Sequence, residues 1–94
     1  MVYEYYADQG GLRFVVMYKE GYKWVYLLDT ALLTTYRIPA KDKQKLKPYK
    51  VNSKTMAKRL RERRTRYKRL NVSFSVRALK TSIAKLEGGA SCIL

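Results

Sequence analysis

The placement of charge constrains this chain more than any other feature. Of its 21 Lys and Arg residues, fifteen lie between Arg37 and Arg69, with two carboxylates, Asp42 and Glu62, among them. A segment so rich in cations can bury little more than a narrow stripe, because a charge taken out of water without a partner is strongly disfavoured. Much of the core must therefore come from elsewhere. Residues 1–36 carry three basic side chains (Arg13, Lys19, Lys23) and four acidic ones (Glu4, Asp8, Glu20, Asp29), a net of −1. Residues 37–94 carry eighteen and three, a net of +15. The pattern is that of a near-neutral scaffold bearing a cationic module. At 94 residues the chain is read as a single domain with a modest core, and at 47% hydrophobic and 13% aromatic it is too apolar for a disordered basic tail.

The scaffold reads as antiparallel strands. Leu12–Lys19 is rich in β-branched and aromatic residues, with Leu12, Phe14, Val16 and Tyr18 on one face and Val15 and Met17 on the other. Glu20-Gly21 supplies a turn. Tyr22–Leu28 follows, placing Tyr22, Trp24, Tyr26 and Leu28 together. Asp29-Thr30 is a second turn, Ala31–Ile38 a third strand, and Pro39 ends it. Tyr3–Tyr6 adds an edge strand. Residues 40–50 form a basic connector, a loop or a short helical turn, leading to a last short strand around Tyr49 and Val51.

Two helices are expected next. Asn52-Ser53 caps a basic helix over 53–70, whose narrow apolar seam is Met56, Leu60 and Tyr67, with Ala57 and Leu70 more loosely placed. Asn71 can end it. Ser75 caps an amphipathic helix over 75–87, in which Val76, Leu79, Ile83 and Leu86 recur at helical spacing, closed by Gly88. An alternating strand, Val72-Phe74-Val76, is the less favoured alternative. Residues 88–94 read as a flexible tail carrying Cys92. The expected fold is α+β: an antiparallel meander or small barrel of three to five strands over 1–51, its apolar face buried beneath the two helices.

The short strands, with Tyr36-Arg37-Ile38-Pro39 before the connector and Leu46-Lys47-Pro48-Tyr49 after it, resemble an SH3-like (Tudor- or KOW-type) small barrel over roughly 11–51. That resemblance implies binding to nucleic acid, methylated side chains or peptides, and by itself chooses none of them.

Composition excludes much. With no His and one Cys there is no His-based acid–base chemistry, no His metal ligand, no internal disulfide and no thiolate zinc site. No pair of carboxylates falls at metal spacing and no glycine loop cradles a phosphate, so neither catalysis nor a cofactor is expected. The N-terminus has no basic-then-apolar leader, no run of about 18 apolar residues occurs, and Cys92 is third rather than fourth from the end as prenylation requires. The chain reads as soluble and cytoplasmic.

The basic helix pairs like charges at i, i+4 (Lys54–Lys58, Arg59–Arg63, Arg64–Lys68), each costing about 0.2–0.5 kcal/mol in an isolated helix. A polyanion relieves that repulsion and releases condensed counterions. The excess of Arg over Lys suits bidentate phosphate contacts. The favoured partner is therefore DNA or structured RNA, contacted through Lys54, Lys58, Arg59, Arg61, Arg63, Arg64, Arg66, Lys68 and Arg69, with Lys41, Lys43, Lys45 and Lys47 as auxiliaries. An acidic surface of a larger protein is the alternative partner, an anionic membrane a weaker one, and a merely solvated face the bland one. Tyr22, Trp24 and Tyr26 read as packed beneath the helices rather than as a stacking platform. A small accessory, ribosome-associated or phage-type regulatory protein fits this description; the oligomeric state is not legible.

Overall fold

The computed structural model describes residues 1–70 and 73–87. It is α+β: a five-stranded antiparallel sheet followed by two helices. The strands are β1 (Val2–Asp8), β2 (Gly11–Tyr18), β3 (Trp24–Asp29), β4 (Thr34–Pro39) and β5 (Lys47–Pro48), with a 3-10 helix over Ala40–Lys45. The helices are α1 (Ser53–Arg69) and α2 (Ser73–Glu87). The chain forms two compact units, residues 1–50 and the helical part from Val51 onward.

In the first unit the strand order is β4-β3-β2-β1-β5. The sheet is an open meander, so the barrel alternative is not met. β5 is two residues long and pairs with β1, not with β4, which leaves no seam to close. β1 is longer than expected and lies inside the sheet, between β2 and β5.

Turn chemistry sets the strand boundaries. Tyr22 donates its N–H to the Lys19 carbonyl (3.2 Å), and Gly21 sits at φ +83°, the third position of a type II turn, where a side chain is strained. β3 accordingly begins at Trp24 rather than Tyr22. The third expected strand begins three residues late because the Asp29 carboxylate accepts the N–H groups of Ala31 and Leu32 (both 3.0 Å) and wraps residues 30–33 into a turn. Leu33 completes that turn in the left-handed region, at φ +57°. The last short strand falls at Lys47–Pro48, not at Tyr49 and Val51, although the Tyr49 N–H still reaches the Tyr5 carbonyl (2.9 Å).

One face of the sheet buries Tyr6, Val16, Val25 and Leu27, with Phe14, Tyr18, Ile38, Ala40 and Leu46 packed partly against them. The start of the 3-10 helix and the residue after it thus cover this core.

In the helical unit Asn52 caps α1, its side chain accepting the Thr55 N–H (2.8 Å). Met56, Ala57, Leu60 and Tyr67 are buried as expected, but Leu70 is exposed. α2 starts two residues earlier than expected, so Ser75 is a buried residue within the helix rather than its cap, and residues 73–76 are helical where the alternative had a strand. Ala78, Leu79, Ile83 and Leu86 form its buried stripe. An Arg61–Glu87 ion pair joins the first half of α1 to the end of α2, as in an antiparallel helical hairpin. Asn71, Gly88 and the tail with Cys92 lie outside the described residues.

Candidate nucleic-acid interface

α1 has 17 residues and is about 25 Å long at 1.5 Å per residue. Its buried stripe fixes which cations can meet a partner. Lys54, Lys58, Arg59, Arg61, Arg66, Lys68 and Arg69 are exposed, whereas Arg63 and Arg64 are half-buried. These two lie three and four residues from Leu60 and Tyr67, on the flank of the apolar stripe, so their stems cover the core. The Arg64 Nε is itself buried and finds no hydrogen-bond partner among the described residues.

Carboxylates subtract further members. Glu62 lies 3.5 Å from the Arg59 guanidinium and 3.6 Å from that of Arg63, and Arg61 pairs with Glu87. Lys54, Lys58, Arg66, Lys68 and Arg69 have no salt-bridge partner among the described residues and point into solvent. At 3.6 residues per turn, Lys54, Lys58, Lys68 and Arg69 fall within an arc of roughly 100°, turned away from the buried stripe. Arg66 lies beyond Glu62 on the other side. The expected dominance of Arg over Lys does not survive: the available set is three lysines and two arginines, because α1's other guanidinium groups are paired or half-buried.

The four auxiliary lysines belong to the sheet unit and divide in the same way. Lys43 is taken up internally: its Nζ donates to Glu4 (2.5 Å) and stands 3.7 Å from the centre of the Tyr18 ring. Glu4 also accepts from the Tyr6 hydroxyl (2.7 Å). Burial alone would raise the Glu4 carboxyl, but hydrogen bonds from Lys43, Tyr18 and Tyr6 outweigh it and hold the group below its ordinary value. Burial likewise opposes the Lys43 charge, and the bonds to Glu4 and Tyr18 overcome it, so the ammonium is held above its usual range. Lys45 lies 3.6 Å from Asp42. Lys41 and Lys47 are exposed without a carboxylate partner among the described residues.

The aromatic residues read as core are not core. Tyr22 is 61% exposed, Trp24 50% and Tyr26 46%. The β3–β4 register puts Trp24 opposite Pro39 and Tyr26 opposite Arg37, and the Arg37 guanidinium stands 5.3 Å from the centre of the Trp24 ring. Arg37 and Lys23 were not singled out from the sequence. The signal that could have found them is the one-two alternation of cations and aromatics in Tyr22-Lys23-Trp24 and Tyr36-Arg37.

Among the described residues no three His, Cys, Asp or Glu side chains converge to hold a metal ion, and no helix is long and apolar enough to cross a membrane. No protein-family model matches the chain, and neither does any curated protein or solved structure.

Proposed function

We propose that this chain is a non-enzymatic nucleic-acid-binding protein whose α1 face contacts the phosphate backbone of DNA or RNA. The observation that carries the reading is the set of five exposed cations, Lys54, Lys58, Arg66, Lys68 and Arg69, with no carboxylate partner among the described residues. A solvated helix face normally mixes signs, and this one carries Glu62 alone against them. Contacts of this kind position a protein on a phosphate chain and confer modest sequence choice.

Salt titration tests it. Fluorescence anisotropy with labelled DNA and RNA, between about 50 and 200 mM salt, should give a log–log slope of about −4 or steeper, as five phosphate contacts imply. Replacing the five residues with Gln should flatten that slope. Salt-insensitive binding, or no binding at low salt, would overturn the proposal. A complex with an acidic protein that survives nuclease would put the alternative partner in its place.

A further inference from the structure

The Trp24 side of the sheet has a shape that α1 lacks. An open cavity of about 430 Å³ is lined by Lys23, Trp24, Pro39, Ala40 and Lys41. Trp24 and Pro39 are cross-strand neighbours, so an indole and a proline ring form adjoining apolar surfaces. The walls are tied together, because the Ala40 N–H donates to the Lys23 carbonyl at 2.7 Å. Both rims are cationic: Lys23 and Lys41 are exposed, and Arg37 reaches over the indole from the next strand. Among the described residues no acidic side chain lines the cavity. One rung further along the same face, Tyr26 stands beside Arg37 and is also exposed.

A half-exposed tryptophan among cations suits a ligand that is planar and aromatic on one side and anionic on the other. A nucleotide is both. The geometry points to this cavity as the seat of an unpaired base, stacked on Trp24 and flanked by Pro39, with its phosphates held by Lys23, Lys41 and Arg37. The inference rests on the nucleic-acid reading above and deepens it, naming single-stranded nucleic acid as the preferred form. A base inside a duplex has both faces covered by its neighbours and cannot lie on the indole, whereas every unpaired base offers a π-face to an aromatic side chain. Tyr26 offers a second ring for the neighbouring base. The hydrogen-bonded walls mean that little ordering is required on binding.

Trp24 is the chain's one tryptophan, so its emission reports on this site directly. A single-stranded oligonucleotide should quench it and bind more tightly than a duplex of the same length. Trp24→Ser should lower single-strand affinity about tenfold or more while leaving duplex affinity nearly unchanged. Trp24→Phe should retain most of it, and Lys23→Gln with Lys41→Gln should weaken it without altering the circular dichroism of the fold. Equal binding of both forms, no quenching, and indifference to Trp24→Ser and to the paired lysine change would overturn this inference and leave the α1 reading standing. Absence of any nucleic-acid binding at low salt would remove both. Vesicles of anionic lipid that shift Trp24 emission to the blue, where oligonucleotides leave it unmoved, would assign the cavity to a membrane surface and overturn the inference.

Discussion

In the sheet, Arg13 grips Asp29 through two hydrogen bonds, Nε to Oδ1 at 3.2 Å and Nη2 to Oδ2 at 3.0 Å. On α1, Arg66 and Arg69 carry the same group into solvent and meet no carboxylate among the described residues. The difference is not in the residue but in its company. Residues 1–50 hold nine cations and five carboxylates, and Glu4, Asp8, Asp29 and Asp42 each have a cation within 4 Å. α1 holds nine cations and the single carboxylate Glu62. In the first unit four of the five carboxylates hold a cation, whereas on α1 five exposed cations of the nine have no carboxylate partner among the described residues. Net charge alone, +14 for the chain, does not separate these two uses.

The sharpest way to break the comparison is to cut the joint in the sheet. Asp29 is 1% exposed, and its carboxylate accepts from Arg13 and from the N–H groups of Ala31 and Leu32. Asp29→Ala should cost about 2–3 kcal/mol, less than the roughly 3–5 of a fully buried broken pair, because Arg13 keeps partial access to water. Urea unfolding would read this as a lower midpoint with an unchanged slope.

Acid tests the same joint without mutation. Burial raises the Asp29 carboxyl, but the Arg13 bonds and the two backbone N–H groups more than offset it, so its pKa is lowered from 3.8. A carboxyl depressed in the folded state adds stability that is present above its unfolded value and lost as pH falls through the folded one. Glu4, lowered from 4.5, acts in the same direction. Lys43, raised from 10.5, contributes below that value and loses its contribution as pH rises beyond it. Stability should therefore fall below about pH 4 by the linkage relation, and Asp29→Asn should flatten that fall in unfolding midpoints measured from pH 2 to 7.

The smallest effect should have the opposite sign. Lys54 and Lys58 repel each other one turn apart and sit at the positive end of the α1 dipole. Lys54→Gln with Lys58→Gln should raise stability by about 0.5 kcal/mol while weakening nucleic-acid binding. If that double variant lost stability instead, these lysines would be holding the fold together, and the distinction between the two regions would fail.

The strands and helices were largely legible because β-branched runs with short turns, and apolar residues at helical spacing, are local signals. What escaped depended on distant partners. Alternation shows that Trp24, Tyr26 and Leu28 share a face, but not that cover extends over Leu28 and stops before Trp24 and Tyr26. The delayed start of β4 follows from one side chain, Asp29, folding back on its own turn. Ser75 is a good cap in isolation, and nothing local shows that the helix already runs through it from Ser73. For the candidate interface, residue identities pointed to the basic helix, but which members were taken could not be read. Arg61 and Glu87 are 26 positions apart, and Glu4 and Lys43 are 39 apart.

The two outer strands finish alike. β4 ends at Pro39 and β5 at Pro48, the chain's two prolines, and Lys47 and Arg37 stand beside them. A ring with no N–H cannot receive the next strand of a growing ladder, and a charge in the same row resists stacking against its own copy. Both margins of the sheet are thereby blunted against fibril growth. A protein this basic, concentrated locally on a polyanion, would bring many copies edge to edge, and these two termini are what should keep such crowding from seeding amyloid.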